Sequence, residues 1–187
     1  MKTRAFIAVN IVEPVRLEID SVIAPMRQTY RGVKWVKREN LHLTLKFLGD
    51  VDQGQIRRVE FALQGVCDLH RPFDVVLRAV GGFPNLKQPK VLWIGLENDT
   101  NLQRLHRDID AALSDVGFTR EDKPFSAHLT IGRLRDGDNS TNLAEKLTPL
   151  KTKNFGLSPV SAIALLSSRL KQGGPIYSVI REFPLSG

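Results

Sequence analysis

The chain has 187 residues, 42% hydrophobic and 25% charged, with 27 Lys plus Arg against 20 Asp plus Glu for a net charge of +7. At roughly 150 residues per domain this means one domain or two intimately packed halves, and the composition excludes collagen, a coiled-coil rod and disorder along the whole length. The longest apolar runs fall far short of the ~20 residues of a membrane-spanning helix, so no membrane partner is expected. The positive excess attracts anions, nucleic acid among them, but it is spread along the chain and singles out no partner.

In chain order, Met1-Lys2-Thr3-Arg4 followed by Ala5-Phe6-Ile7-Ala8-Val9 has the outline of a signal peptide. Asn10 and Glu13 interrupt the run and no small-residue cleavage site follows, so it reads as a first strand. Hydrophobic periods of 2 and 3.6 then alternate. Strands are predicted over Arg4–Ile11, Val33–Val36, Leu41–Leu48, Phe73–Val80, Lys90–Leu96, Ala127–Leu134, Pro159–Ser167 and Pro175–Phe183. A first helix runs from Pro14 to about Tyr30 with Val15, Ile19, Val22, Ile23 and Met26 inward, and Pro25 is expected to kink or shorten it. Asp52 is placed to cap a second, whose stripe is Ile56, Val59, Leu63 and Val66. A third, Asp99 to Val116, buries Leu102, Leu105, Ile109 and Leu113, and a short fourth spans Asn139 to Leu147. Gly81-Gly82-Phe83-Pro84-Asn85 and Gly173-Gly174-Pro175 mark loops, and neither glycine pair has a phosphate-loop or dinucleotide pattern. The single cysteine, Cys67, excludes an intrachain disulfide and any two-cysteine metal or redox motif, and points to a reducing, cytoplasmic setting.

Sliding the sequence by 86 positions lays His42-Leu43-Thr44 on His128-Leu129-Thr130, and also matches Lys37 with Lys123, Leu48 with Leu134, Asp50 with Asp136 and Asp52 with Asp138. In each half a strand and a long amphipathic helix precede the match, with Phe6-Ile7-Ala8-Val9 in one and Trp93-Ile94-Gly95-Leu96 in the other. An Asp-x-Asp turn into a helix follows each. The expected fold is therefore α+β: two pseudo-symmetric lobes of antiparallel-rich sheet with outer helices around a central cleft. The chain reads as one bilobal domain, 1–187, with approximate halves 1–88 and 89–187 and room for the second half to exchange terminal strands with the first. A monomer suffices.

Strand side chains alternate faces. Leu41, Leu43, Leu45 and Phe47 are then expected in the core, with His42, Thr44 and Lys46 on the opposite face. In the second segment Leu129 and Ile131 are core positions, leaving His128 and Thr130 opposite. Arg133 has the wrong parity, unless Gly132 marks a bulge that turns it back. Facing halves would bring two imidazoles and two hydroxyls into one groove beside positive charge. Imidazoles divide acid and base work near neutral pH, while hydroxyls and cations hold an oxyanion, a set of tools suited to a phosphodiester. A repeated structural contact is the bland alternative. A metal site is poorly served, because two histidines without nearby Asp, Glu or Cys underfill a coordination shell.

Trp35-Val36, Asn40-Leu41-His42-Leu43-Thr44-Leu45-Lys46-Phe47-Leu48-Gly49 and His128-Leu129-Thr130-Ile131-Gly132-Arg133 resemble the 2H phosphoesterase superfamily. More narrowly, they resemble its bacterial and archaeal RNA 2′,3′-cyclic phosphodiesterases, also called 2′-5′ RNA ligase-like proteins, which carry two His-x-Thr-x motifs. The likeness runs from the first strand to Gly174-Pro175-Ile176-Tyr177. It implies opening of a terminal 2′,3′-cyclic phosphate on RNA, tRNA fragments included, to a 2′-phosphomonoester, with no metal and no cofactor. His42 matches the proton donor to the departing 3′ oxygen and His128 the proton acceptor that activates water, although spacing alone leaves these roles interchangeable. Thr44 and Thr130 would bond the phosphate, and Lys46 and Arg133 would bind substrate. The same site would suit a 2′-5′ RNA ligase, or a phosphodiesterase for small cyclic nucleotides or 2′-5′ oligoadenylate. A different class of reading is a non-catalytic RNA-end-binding module.

Other residues have plainer readings. His70 is expected to be solvated in a polar turn and His106 to lie on a helix surface. Trp35 and Trp93 offer faces for base stacking, and Arg169 and Lys171 offer charge to RNA phosphates. Partial core and a solvated basic turn are the respective alternatives.

Overall fold

A computed structural model of the chain describes residues 2–135, 142–172 and 174–187. Among the described residues nine strands form a single antiparallel sheet: β1 (Thr3–Asn10), β2 (Val33–Trp35), β3 (His42–Val51), β4 (Phe73–Phe83), β5 (Val91–Glu97), β6 (His128–Leu134), β7 (Asn154–Val160), β8 (Ala162–Lys171) and β9 (Gly174–Pro184). Their order is β7-β4-β5-β6-β3-β1-β8-β9, with β2 also on β6. The two strands that carry the His-x-Thr motifs, β3 and β6, are therefore central neighbours, joined at the single pair Leu43↔Leu129.

Helices α1 (Glu13–Thr29), α2 (Gln53–Cys67), α3 (Thr100–Asp115) and α4 (Leu143–Leu147) bury their stripes in one continuous core. Val15, Ile19 and Ile23 of α1, Ile56, Val59, Leu63 and Val66 of α2, and Leu102, Leu105, Ile109 and Leu113 of α3 are all buried, as their spacing predicts. The Asp52 carboxylate accepts the Gln55 N–H at 2.8 Å while the Gln55 side chain accepts the Asp52 N–H at 2.9 Å, a full capping box. α1 packs behind β7 and α3 behind β3, so each half of the chain covers a strand of the other. On the sheet's other face lies a small apolar cluster of Phe6 and Ala8 (β1) with Ala164 and Leu166 (β8), and Tyr177 rests on it.

Three expectations need correction. Helix α1 runs through Pro25 unbroken. Pro25 and Ser21 are both exposed, so the Ser21 carbonyl that loses its partner faces water. The strand expected over Pro159–Ser167 is two strands that turn at Ser161. Gly156 at φ +118° and Pro159 hide β7 from a propensity reading, and Pro159 is tolerated because β7 is a sheet edge. Strand β4 continues through Gly81-Gly82 to Phe83, because the Trp93 ring lies across Gly81 where any side chain would collide with it. Asp136, Asp138, the Asn139–Thr141 start expected for the fourth helix, and Gly173 lie outside the described residues.

Candidate active site

The antiparallel register Leu43↔Leu129, continued one residue each way, sets His42 across from Thr130 and Thr44 across from His128. On one face of neighbouring strands such cross pairs have Cβ atoms roughly 5 Å apart, and diagonal positions such as those of His42 and His128 are roughly 7–8 Å apart.

Each imidazole is held the same way. His42 Nδ1 donates to the Asn40 carbonyl at 2.7 Å, and His128 Nδ1 donates to the Ser126 carbonyl at 2.6 Å. A carbonyl only accepts, so the proton sits on Nδ1 in the neutral ring and Nε2 presents a lone pair. Both carbonyls belong to the residue two before the histidine, and Asn40 and Ser126 themselves match at the offset of 86. Aromatic edges fix the rings further: Tyr177 (5.2 Å, T-shaped) and Phe6 (5.0 Å) on His42, and Phe83 (5.1 Å, T-shaped) on His128. Burial lowers the His42 pKa below its ordinary value. The Asn40 hydrogen bond opposes this in part, and the nearby Arg16 charge adds to it.

Just past each threonine the strand bulges. Thr44 pairs with Ala8 and Lys46 with Ile7, leaving Leu45 extra; Thr130 pairs with Trp93 and Gly132 with Leu92, leaving Ile131 extra. A bulge puts two consecutive residues on one side and reverses the parity beyond it. Lys46, expected beside His42, instead points to the helix side, where it is 3% exposed and ion-paired with Asp110; it is not brought to the cleft. Phe47, expected in the core, emerges on the cleft face at 66% exposure. The same inversion at Ile131-Gly132 returns Arg133 to the cleft.

The cleft encloses about 510 Å³ over His42, Thr44, Thr130 and Arg133, with Trp35, Phe47, Leu170, Pro175 and Tyr177 as apolar and aromatic walls. Arg4, Lys34, Lys37 and Arg133 line it; among the described residues no carboxylate does, and none of the four forms an ion pair. Arg133 lies close enough to Tyr177 for its charge to oppose the upward push that burial gives the phenol. His128 borders the space without lining it. Trp35 is a wall, its Nε1 donating to the Tyr30 carbonyl at 3.3 Å, whereas Trp93 is not: it is packed under Gly81 and against Phe83. Arg169 and Lys171 are exposed near the end of β8, outside the cleft lining. His70 is not solvated but 6% exposed, with Nε2 at 3.0 Å from Asp108, and His106 is not on the surface but stacked on Phe125 at 4.0 Å. Among the described residues no cluster of three His, Cys, Asp or Glu is arranged to hold a metal ion.

Comparison with known proteins places the chain in a family. The family model for the 2′-5′ RNA ligase superfamily matches residues 13–172. The chain belongs to that superfamily. The resemblance to the 2H phosphoesterases read from the motifs is thus borne out. A relative from Methanothermobacter thermautotrophicus named RNA 2′,3′-cyclic phosphodiesterase is 36% identical over 185 residues, covering 99% of this chain and all of its own length. The crystal structure of TT0787 of Thermus thermophilus superposes with a TM-score of 0.82 at 30% identity over 98% of each chain. That of E. coli LigT complexed with 3′-AMP gives 0.79 at 21% identity over the full length of both, a likeness of fold.

Proposed function

We propose that this chain hydrolyses the 2′,3′-cyclic phosphate at the end of an RNA to a 2′-phosphomonoester by two-histidine acid–base chemistry. The observation that carries the reading is the matched pair of imidazoles on adjacent central strands, each with Nδ1 tied to a carbonyl and Nε2 left for chemistry. Relatives that cover the whole chain and bear the name of this activity support it.

In the reaction, water attacks phosphorus as His128 Nε2 takes its proton. The bond from phosphorus to the 3′ oxygen breaks, and protonated His42 gives its Nε2 proton to that oxygen. Thr44 and Thr130 donate to the non-bridging oxygens, and Arg133 offsets their charge. Afterwards His42 is neutral and His128 protonated, and solvent restores both. The aromatic walls and unpaired cations suit a terminal nucleotide and the phosphates behind it. A monomer in the cytoplasm acting on tRNA fragments completes the proposal, in keeping with the one cysteine being a buried free thiol.

The test is turnover of a short RNA ending in a 2′,3′-cyclic phosphate, with EDTA present. His42→Ala and His128→Ala should each lower kcat/KM roughly 10²- to 10⁴-fold while the unfolding midpoint stays near wild type. Unchanged turnover in either variant, or loss of wild-type activity with EDTA, contradicts the proposal.

A further inference from the structure

The bulge that removes Lys46 from the cleft gives it another set of contacts. A fully buried ammonium is tolerated only where it is paired and hydrogen-bonded. Lys46 meets both conditions: it is ion-paired with Asp110 of α3, and its Nζ donates to the Thr119 carbonyl at 2.9 Å. Asp110 in turn accepts the Glu121 N–H at 3.4 Å. Burial works against ionisation of Asp110, but the hydrogen bond and charge of Lys46 prevail and hold its carboxyl below the ordinary range. The pair of buried Lys46 and partly exposed Asp110 thereby grips the connection 117–127 between α3 and β6 at two points of its backbone.

Further along the same connection, α3 grips it again. The His106 ring, 7% exposed, stacks flat on Phe125, and Gln103 Nε2 donates to the Phe125 carbonyl at 3.3 Å. The next residue is Ser126, whose carbonyl fixes His128 Nδ1. A continuous set of contacts thus runs from Lys46, two residues past Thr44 in the first half, to the imidazole of the second half. His42 has no such dependence: Asn40 is held by the turn Arg38–Asn40 and by its own Nδ2 on the Pro175 carbonyl at 3.1 Å.

We propose that Lys46 is a positioning residue for His128, acting through Asp110 and the 117–127 connection to hold the Ser126 carbonyl on Nδ1. That His128 works as the base rests on the function proposed above; the positioning itself does not. The two are separated by reading the tautomers of both histidines directly, by ¹H–¹⁵N correlation spectra of the ligand-free protein. In Lys46→Met, His128 should change from one Nδ1–H tautomer to a mixture while His42 keeps its signals. Its kcat should fall roughly 10- to 100-fold with KM within about two-fold of wild type, as expected when a reacting group is misplaced by a fraction of an ångström to an ångström. Lys46→Arg, which keeps the charge, should restore most of both. Phe125→Leu removes the His106 stack without disturbing the pair of Lys46 and Asp110, and should reproduce the His128 change if Lys46→Met does not fold. A lowered unfolding midpoint with the His128 tautomer and kcat unchanged would make Lys46 merely structural and overturn the proposal, as would a His42 response equal to that of His128. A wild-type protein inactive on cyclic-phosphate ends, but showing the selective His128 response, would overturn the proposed function and leave the positioning role standing.

Discussion

His42 and His128 owe their tautomers to carbonyls two residues upstream, so the strand that presents each ring also sets which nitrogen faces the cleft. The proton itself is a separate matter. Burial lowers the His42 pKa below 6.5, with Arg16 helping and the Asn40 carbonyl opposing, so in the free protein the neutral ring prevails at neutral pH. A proton donor must carry its proton when the substrate reacts. A phosphate anion beside the ring favours the charged imidazolium, so under the proposed assignment His42 would take up a proton as substrate binds. Its ring signals in the free protein should titrate below 6.5 and shift to higher pH when 2′-AMP saturates the cleft. Because kcat/KM reports groups of the free enzyme, it should fall as pH rises through that lowered pKa. A His42 that titrates at or above 6.5 and ignores the nucleotide contradicts the assignment of acid to this ring. The two His-x-Thr pairs themselves were legible, since period-2 alternation and a repeat at 86 positions suffice to find them. Their aromatic partners were not, because Tyr177 and Phe83 reach the imidazoles from strands distant in sequence.

Among the elements, the paired bulges matter most. Alternation assigns a face to every residue of an uninterrupted strand, and it fails one residue past each threonine. That failure moved Lys46 out of the site, Phe47 out of the core and Arg133 into the cleft. Only the last was foreshadowed, by Gly132. The glycine has a steric reason: a Cβ there would stand 2.8 Å from Val33 Cγ1 and 3.2 Å from the Trp35 ring, both on β2, which pairs with β6 at this point. Gly132→Val should therefore push β2 away from β6 and cost about 1–3 kcal/mol, as overpacking does. Since β2 carries Lys34 and Trp35 of the cleft wall, KM should rise by more than kcat falls. Chemical unfolding and initial-rate measurements on the variant check both; wild-type stability with an unchanged KM contradicts this view of β2. Helices fared better than strands in the sequence. The inner faces of α1, α2 and α3 follow from 3.6-residue spacing alone, and the Asp52 cap from its residue type.

For the whole molecule, the antiparallel α+β class and the placing of both motifs beside one cleft were legible in the sequence, whereas the structure joins the two expected lobes in a single sheet over one continuous core. The strand order was not legible. β8 pairs with β1 and β9 with β8, from the far end of the chain, and local patterns carry no information about such pairings. That pairing brings Ser168, Leu170, Pro175 and Tyr177 to the cleft lining. The result is a cleft lined by four cations and, among the described residues, by no carboxylate, with His42 in its lining and His128 at its border. No described helix is long and apolar enough to cross a membrane. The central claim is that these imidazoles break the 3′ ester of a cyclic phosphate, and it is tested most directly by the position of phosphate in the product. A short RNA ending in a 2′,3′-cyclic phosphate should be converted by the wild-type protein to a single ³¹P species, the 2′-phosphomonoester, and remain cyclic with His42→Ala or His128→Ala. A 3′-phosphate product, or RNA retained by the protein with its cyclic phosphate intact, would contradict the account.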